Sequence, residues 1–112
     1  MKLYFKNWFA KKNYCKEADF AEIYNMFYAG QTEKAVKFFE YGSCGNSVKV
    51  VTKFVPKSAL IACETEEEFR ELDKKENSEK ALESVNKYLE TETSYTFQEA
   101  VKFANLQYDA YL

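Results

Sequence analysis

The chain has 112 residues, with 18 Asp and Glu against 16 Lys and Arg for a net charge of −2, no His, three Cys, and ten Phe and nine Tyr in an aromatic content of 18%. That length predicts a single domain, 1–112, able to bury roughly two thirds of its unfolded surface, and the lack of His removes Ser-His and Cys-His nucleophiles and His-bound metals together. Cys15, Cys44 and Cys63 are odd in number and widely spaced, and Lys2, Lys6, Lys11 and Lys12 break any leader-like apolar run, so the expectation is a cytoplasmic protein with reduced thiols.

Residues 2–9 alternate with period two, Leu3, Phe5 and Phe9 on one side and Lys2, Tyr4, Lys6 and Trp8 on the other, which predicts a strand. From residue 17 the spacing changes. Phe20, Ile23, Tyr24, Phe27 and Tyr28 recur at three and four, the stripe of an amphipathic helix over 17–29, with Gly30 at its C-terminus. Thr32 as N-cap and Val36, Phe38 and Phe39 as the apolar set predict a second helix over 32–41, ended by Gly42.

A Gly-rich loop, 42–47, leads into the longest β-reading stretch. Residues 48–55 are mostly Val and Thr, with Lys49 and Lys53 on one face and Val48, Val50, Thr52 and Phe54 on the other. Pro56, Lys57 and Ser58 are read as the turn of a hairpin whose second arm is 59–63. That arm, the longest apolar run in the chain, is far short of the ~20 residues that span a bilayer, so no membrane partner is expected.

Thr65 followed by Glu68 is a capping box and starts a helix over 65–76. Ser78 restarts a separate helix over 78–91, because Ala81, Leu82, Val85 and Leu89 are out of phase with Phe69 and Leu72 at 100° per residue. Thr96 with Glu99 opens the last helix, 96–111, in which Phe97, Val101, Ala104, Tyr108 and Tyr111 form one stripe and Phe103, Leu106 and Ala110 a second. The fold expected is α+β: a small, mostly antiparallel three-stranded sheet (2–9, 48–55, 59–63) packed with about five helices.

No residue set is assigned to catalysis, a cofactor or a metal. Cys44 has no visible base or helix N-terminus to activate it, the three cysteines lack zinc-site spacing, and the glycines at 42 and 45 precede a strand, whereas a phosphate loop precedes a helix. Charge is unevenly distributed: residues 42–63 carry +3 and 64–99 carry −7. The leading expectation is a non-enzymatic protein-binding module, with Glu64, Glu67, Glu68, Glu71 and Asp73 presenting an acidic surface to a partner. Size and a Lys-, Asn-, Glu- and Tyr-rich composition suit a small phage or mobile-element inhibitor of a host enzyme or a bacterial defence nuclease. The alternative is nucleic-acid binding on a sheet face of Lys2, Tyr4, Lys6, Trp8, Lys49 and Lys53, where lysines interleave with rings. A third reading is a structural homodimer through Phe103, Leu106, Tyr108 and Tyr111.

Overall fold

The computed structural model describes residues 1–13, 21–23 and 25–111, with the side chains of 21, 22 and 111 excepted. In chain order the elements are β1 (Lys2–Phe5), α1 (Asn7–Asn13), β2 (Ala21–Glu22), β3 (Met26–Gln31), β4 (Ala35–Cys44), β5 (Ser47–Pro56), β6 (Leu60–Cys63), α2 (Glu66–Asp73), α3 (Ser78–Thr91) and α4 (Phe97–Tyr111). The class is α+β, as the sequence predicts, but the strands form two sheets, ordered β2-β1-β6 and β3-β4-β5. The chain divides into two compact units, Met1–Ile23 with Pro56–Glu92, and Tyr24–Val55 with Thr93–Leu112. Each unit draws on two separated stretches, so neither is a continuous fragment.

In the first unit β1 runs antiparallel to β6, pairing Leu3 with Ala62 and Tyr4 with Ile61. All four residues of β6 are buried, which suits an apolar run with no polar alternation. Helices α2 and α3 pack on it. Tyr4, Ile61, Cys63, Phe69 and Ala81 form the core cluster, with Leu72 packed at its side, and the Tyr4 and Phe69 rings meet edge to face at 5.8 Å. Helix α3 contributes Ala81, Val85 and Leu89, one buried residue per turn along a single stripe.

The predicted strand 2–9 stops at Phe5. The alternation of Trp8 and Phe9 gives way to α1, in which Ala10 is fully buried and Lys11 and Lys12 occupy the last turn, where cations suit the helix dipole. Its first N–H, on Asn7, donates to Asp73 Oδ1 at 3.1 Å. The cap is supplied by a residue distant in sequence and so is invisible locally.

Three of the predicted helices stand with small adjustments. The 65–76 helix spans Glu66–Asp73, and the chain extends at Lys74 before a 3₁₀ turn at Lys75–Asn77. The Glu68 N–H donates to Thr65 Oγ1 as the capping box requires, but the Glu68 carboxylate accepts from the Glu64 N–H and not from Thr65. At Thr96 and Glu99 both reciprocal bonds form, each 3.2 Å.

In the second unit the predicted helices 17–29 and 32–41 give way to strands, residues 17–20 and 24 lying outside the described ones. Met26–Gln31 and Ala35–Cys44 pair antiparallel, with Phe27 opposite Phe39 and Tyr28 opposite Phe38. Aromatic cross-strand pairs stabilise a sheet as directly as they do a helix stripe, and here the sheet wins. Gly30, φ 131°, sits beside the register shift between Tyr28 and Gly30, so its conformational freedom serves a β-bulge where the sequence suggested a helix end. Thr32 Oγ1 does accept from the Ala35 N–H, at 3.1 Å, but the Thr32 N–H also donates to the Ala35 carbonyl, closing a hairpin turn. Gly42 lies within β4 and ends no helix.

The 48–55/59–63 hairpin is likewise overturned. Residues Lys57–Ala59 form a 3₁₀ turn, and the two arms join different sheets. The true hairpin partner of β5 is β4, across Gly45 (φ 64°) and Asn46. Helix α4 packs on β4 through the buried Ala100 and Ala104. Phe27 meets Tyr41, Tyr95 and Phe103 at 5.0–6.2 Å between ring centroids, and Phe39 meets Phe97 at 5.4 Å. Much of the aromatic surplus is thus accounted for by one face of this sheet.

Candidate functional site

Strand β5 carries Phe54, the most exposed large hydrophobic side chain among the described residues. Its β-branched sequence favours extended backbone, and the turn that launches it is closed by Ser47 Oγ donating to the Cys44 carbonyl at 3.1 Å. In the sheet order β3-β4-β5 it is an edge. A two-residue turn sets Cys44 opposite Ser47, and antiparallel alternation then directs the N–H groups of Val48, Val50, Thr52 and Phe54 away from β4. Phe54 is 63% exposed and Val51 36%. Lys53 pairs with Glu40 on β4, whereas Lys49 is exposed and forms one wall of a shallow groove of about 270 Å³ with Glu40, Cys44 and Val51. Long, exposed, Val-rich edge strands are templates for pairing with another chain. This edge is blunted by Lys49, by Lys53, which Glu40 neutralises, and by Pro56 at its very end.

Four of the five acidic residues expected to face a partner are engaged within the first unit. Glu64 lies 3.8 Å from the N-terminal amine, Glu68 accepts from a backbone amide, and Asp73 caps α1. Glu71 accepts from Lys74 at 3.3 Å and from Asn77 Nδ2 at 2.9 Å. Of the five, Glu67 alone has no such partner among the described residues. The Asn77 and Lys74 contacts hold the Glu71 carboxyl below its ordinary value of 4.5. A depressed carboxyl adds stability above its unfolded pKa, and that contribution disappears as pH falls through the lower folded value. Glu71→Gln is therefore expected to flatten the acid limb of the stability curve below about pH 4.5, read by urea titrations at stepped pH; an unchanged limb would refute the assignment.

The six residues of the basic and aromatic face are divided between two sheets and a helix. Lys2 and Tyr4 lie on β1 with Lys6 at its end and Trp8 on α1, while Lys49 and Lys53 lie on β5. The β1–β5 pairing that would have joined them does not occur. Tyr4 and Lys6 are buried, so neither ring nor stem stands on an open face; Trp8 is 53% exposed. On α4, Phe103 and Leu106 are exposed, although the Phe103 ring lies against Phe27 and Tyr95. Tyr108 donates its hydroxyl to the Gly45 carbonyl at 3.1 Å, and the Tyr111 side chain lies outside the described ones.

Among the described residues, no three His, Cys, Asp or Glu side chains converge to hold a metal, and no helix is long and apolar enough to cross a membrane. Cys44 is exposed and Cys63 buried, both as free thiols; Cys15 is outside the described residues. Burial, with a smaller push from Glu68, raises the Cys63 thiol from 9.0 to about 11 against a small opposing pull from the N-terminal amine. A raised thiol pKa adds stability below the unfolded value, lost as pH climbs toward the folded one. We expect on the order of 2 kcal/mol to be lost between pH 9 and 11, and Cys63→Ala to remove that part of the alkaline decline in denaturant titrations. A decline identical in both proteins would contradict the burial argument.

Sequence reasoning identified β5 as a strand but missed its edge position, because the strands beside it read as helices. The exposure of Phe54 had one available signal: an aromatic on the face opposite Lys49 and Lys53, in a strand with valines on both faces. Comparison with protein-family models finds no match to this chain, and comparison with curated proteins and with solved structures finds none either.

Proposed function

We propose that this chain is a non-enzymatic protein-binding module that takes an extended segment of a partner protein onto the free edge of β5. The observation that supports the reading is a ten-residue edge strand with Phe54 63% exposed at its far end. Main-chain pairing supplies affinity in such complexes, and alternate side chains supply selectivity. Lys49 selects for an acidic residue on the incoming strand, and Phe54 is the aromatic anchor that dominates interfaces of this kind. The acidic residues of α2 are a weaker binding surface, since most already serve caps and ion pairs. Size and composition suit an inhibitor of a host enzyme or defence nuclease carried by a phage or mobile element and acting in the cytoplasm.

The reading is tested by selecting peptides from a display library against the full chain and mapping each by amide hydrogen exchange. The expected peptides are extended, β-branched and acidic at one alternate position, and they protect amides within 47–56. Peptides that protect 66–73 would move the site to the acidic helix. Salt-sensitive binding of labelled single-stranded oligonucleotides that is lost on Trp8→Ala would replace the reading with nucleic-acid recognition.

A further inference from the structure

We propose a second binding site, in the first unit: a cavity walled by Lys6 and Lys57 that takes a phosphate-type oxyanion. The cavity holds about 200 Å³ and is lined by Lys6, Lys57, Ser58 and Leu60 on one side and by Ser78, Glu79, Ala81 and Leu82 of α3 on the other. It is smaller than the roughly 300–1,000 Å³ of pockets for drug-sized ligands. Lys6 is 6% exposed and Lys57 7%. Lysines are almost never buried to that degree without a counter-charge. Lys57 Nζ donates to a neutral acceptor, Asn86 Oδ1, at 2.9 Å, and the Lys6 ammonium has no hydrogen-bond or ion-pair partner among the described residues.

Both lysines stand on pinned backbone. The Lys6 N–H donates to the Ala59 carbonyl at 2.7 Å, its carbonyl accepts from Phe9 and Ala10, and the Lys57 carbonyl accepts from Leu60. Their stems are therefore held at the wall without a ligand, the preorganisation a binding site requires. Ser78 and Glu79 open the fourteen-residue helix α3, and its N-cap residue, Asn77, makes no side-chain cap. The positive end of the helix dipole adds to the field of the two ammonium groups. Glu79 is the one carboxylate on the cavity wall; it is exposed and can turn to solvent. Two cations and a helix N-terminus favour a dianion over a carboxylate. Most of the exposed wall is apolar, from Leu60, Ala81, Leu82 and the lysine stems, and suits the organic part of a small phosphomonoester.

The site is independent of the β5 edge. It is tested on the full chain by thermal unfolding and ¹H–¹⁵N shift mapping with inorganic phosphate, phenyl phosphate and acetate at matched ionic strength. Phosphate is expected to raise the unfolding midpoint in a saturable way and to shift the amides of 57–60 and 78–82. Lys6→Met should weaken binding by about tenfold or more, the worth of one charged hydrogen bond, with Lys75→Met, outside the cavity, as the unaffected control. Tighter binding of phenyl phosphate identifies the natural ligand as a phosphomonoester, and equal or weaker binding as the free ion. An equal response to acetate, shifts elsewhere in the chain, or no response to either phosphate would overturn the proposal. If Lys6→Met does not fold, Lys57→Gln supplies the same comparison.

Discussion

Phe69→Ala is expected to lower the stability of the chain by about 3–5 kcal/mol, a large share of the 5–15 kcal/mol typical of a domain. Phe69 is 1% exposed and sits among Tyr4, Ile61, Cys63 and Ala81, so truncation removes a full aromatic ring from water-free surroundings and leaves a cavity. The cluster cannot readily collapse into that space. Ile61 and Cys63 are held by the β1–β6 ladder, and Tyr4, on the opposite strand, loses the edge-to-face contact that adds about 0.5–1.5 kcal/mol beyond buried area. Phe69→Leu keeps most of the volume and should cost clearly less. Urea unfolding of the two variants beside the parent chain measures both. A loss below 1 kcal/mol for the Ala variant would mean that the first unit is not organised around this ring.

The contrast between the two halves of the sequence has a physical origin. Helices α2, α3 and α4 could be read because their signals are local: Thr65 and Thr96 bond to amides three residues on, and each buried stripe repeats within a single element. Strand β4 was hidden by the same chemistry. The bond from the Ala35 N–H to Thr32 Oγ1 is the one a helix N-cap makes, and only the pairing of Phe27 with Phe39 and Tyr28 with Phe38 decides in favour of a turn. Those pairs lie ten or more residues apart. The end of β1 was hidden too, since Asp73 reaches Asn7 from 66 residues away. The same limit applies to the sites. The valines of 48–55 announce a strand, but its edge position depends on which strands lie beside it. For Lys6 the alternation within 2–9 implied an open sheet face, whereas the shortened β1 and the Lys57–Ala59 turn bring it to a cavity wall.

On β5, Thr52→Pro is expected to weaken a bound strand peptide by about 100-fold or more while leaving the protein folded. Partner strands are held by main-chain hydrogen bonds, and the Thr52 N–H is one of those turned away from β4 by the register of the two-residue turn. Proline deletes that donor and places its ring in the path of the incoming strand, yet it is tolerated on a strand whose N–H faces solvent. Val51→Pro makes the opposite change, since alternation turns the Val51 N–H toward β4. It should cost the β4–β5 ladder a bond and destabilise the second unit. Phe54→Ala supplies an independent check: a side chain that is 63% exposed contributes little to folding, but as an interface anchor it is worth about 2 kcal/mol or more, roughly thirtyfold in affinity. Peptide affinity by fluorescence anisotropy and folded stability by urea titration separate these cases. Full affinity in both Thr52→Pro and Phe54→Ala would exclude the β5 edge as the recognition surface, because no other strand edge in that sheet shares the Thr52 amide or the Phe54 ring.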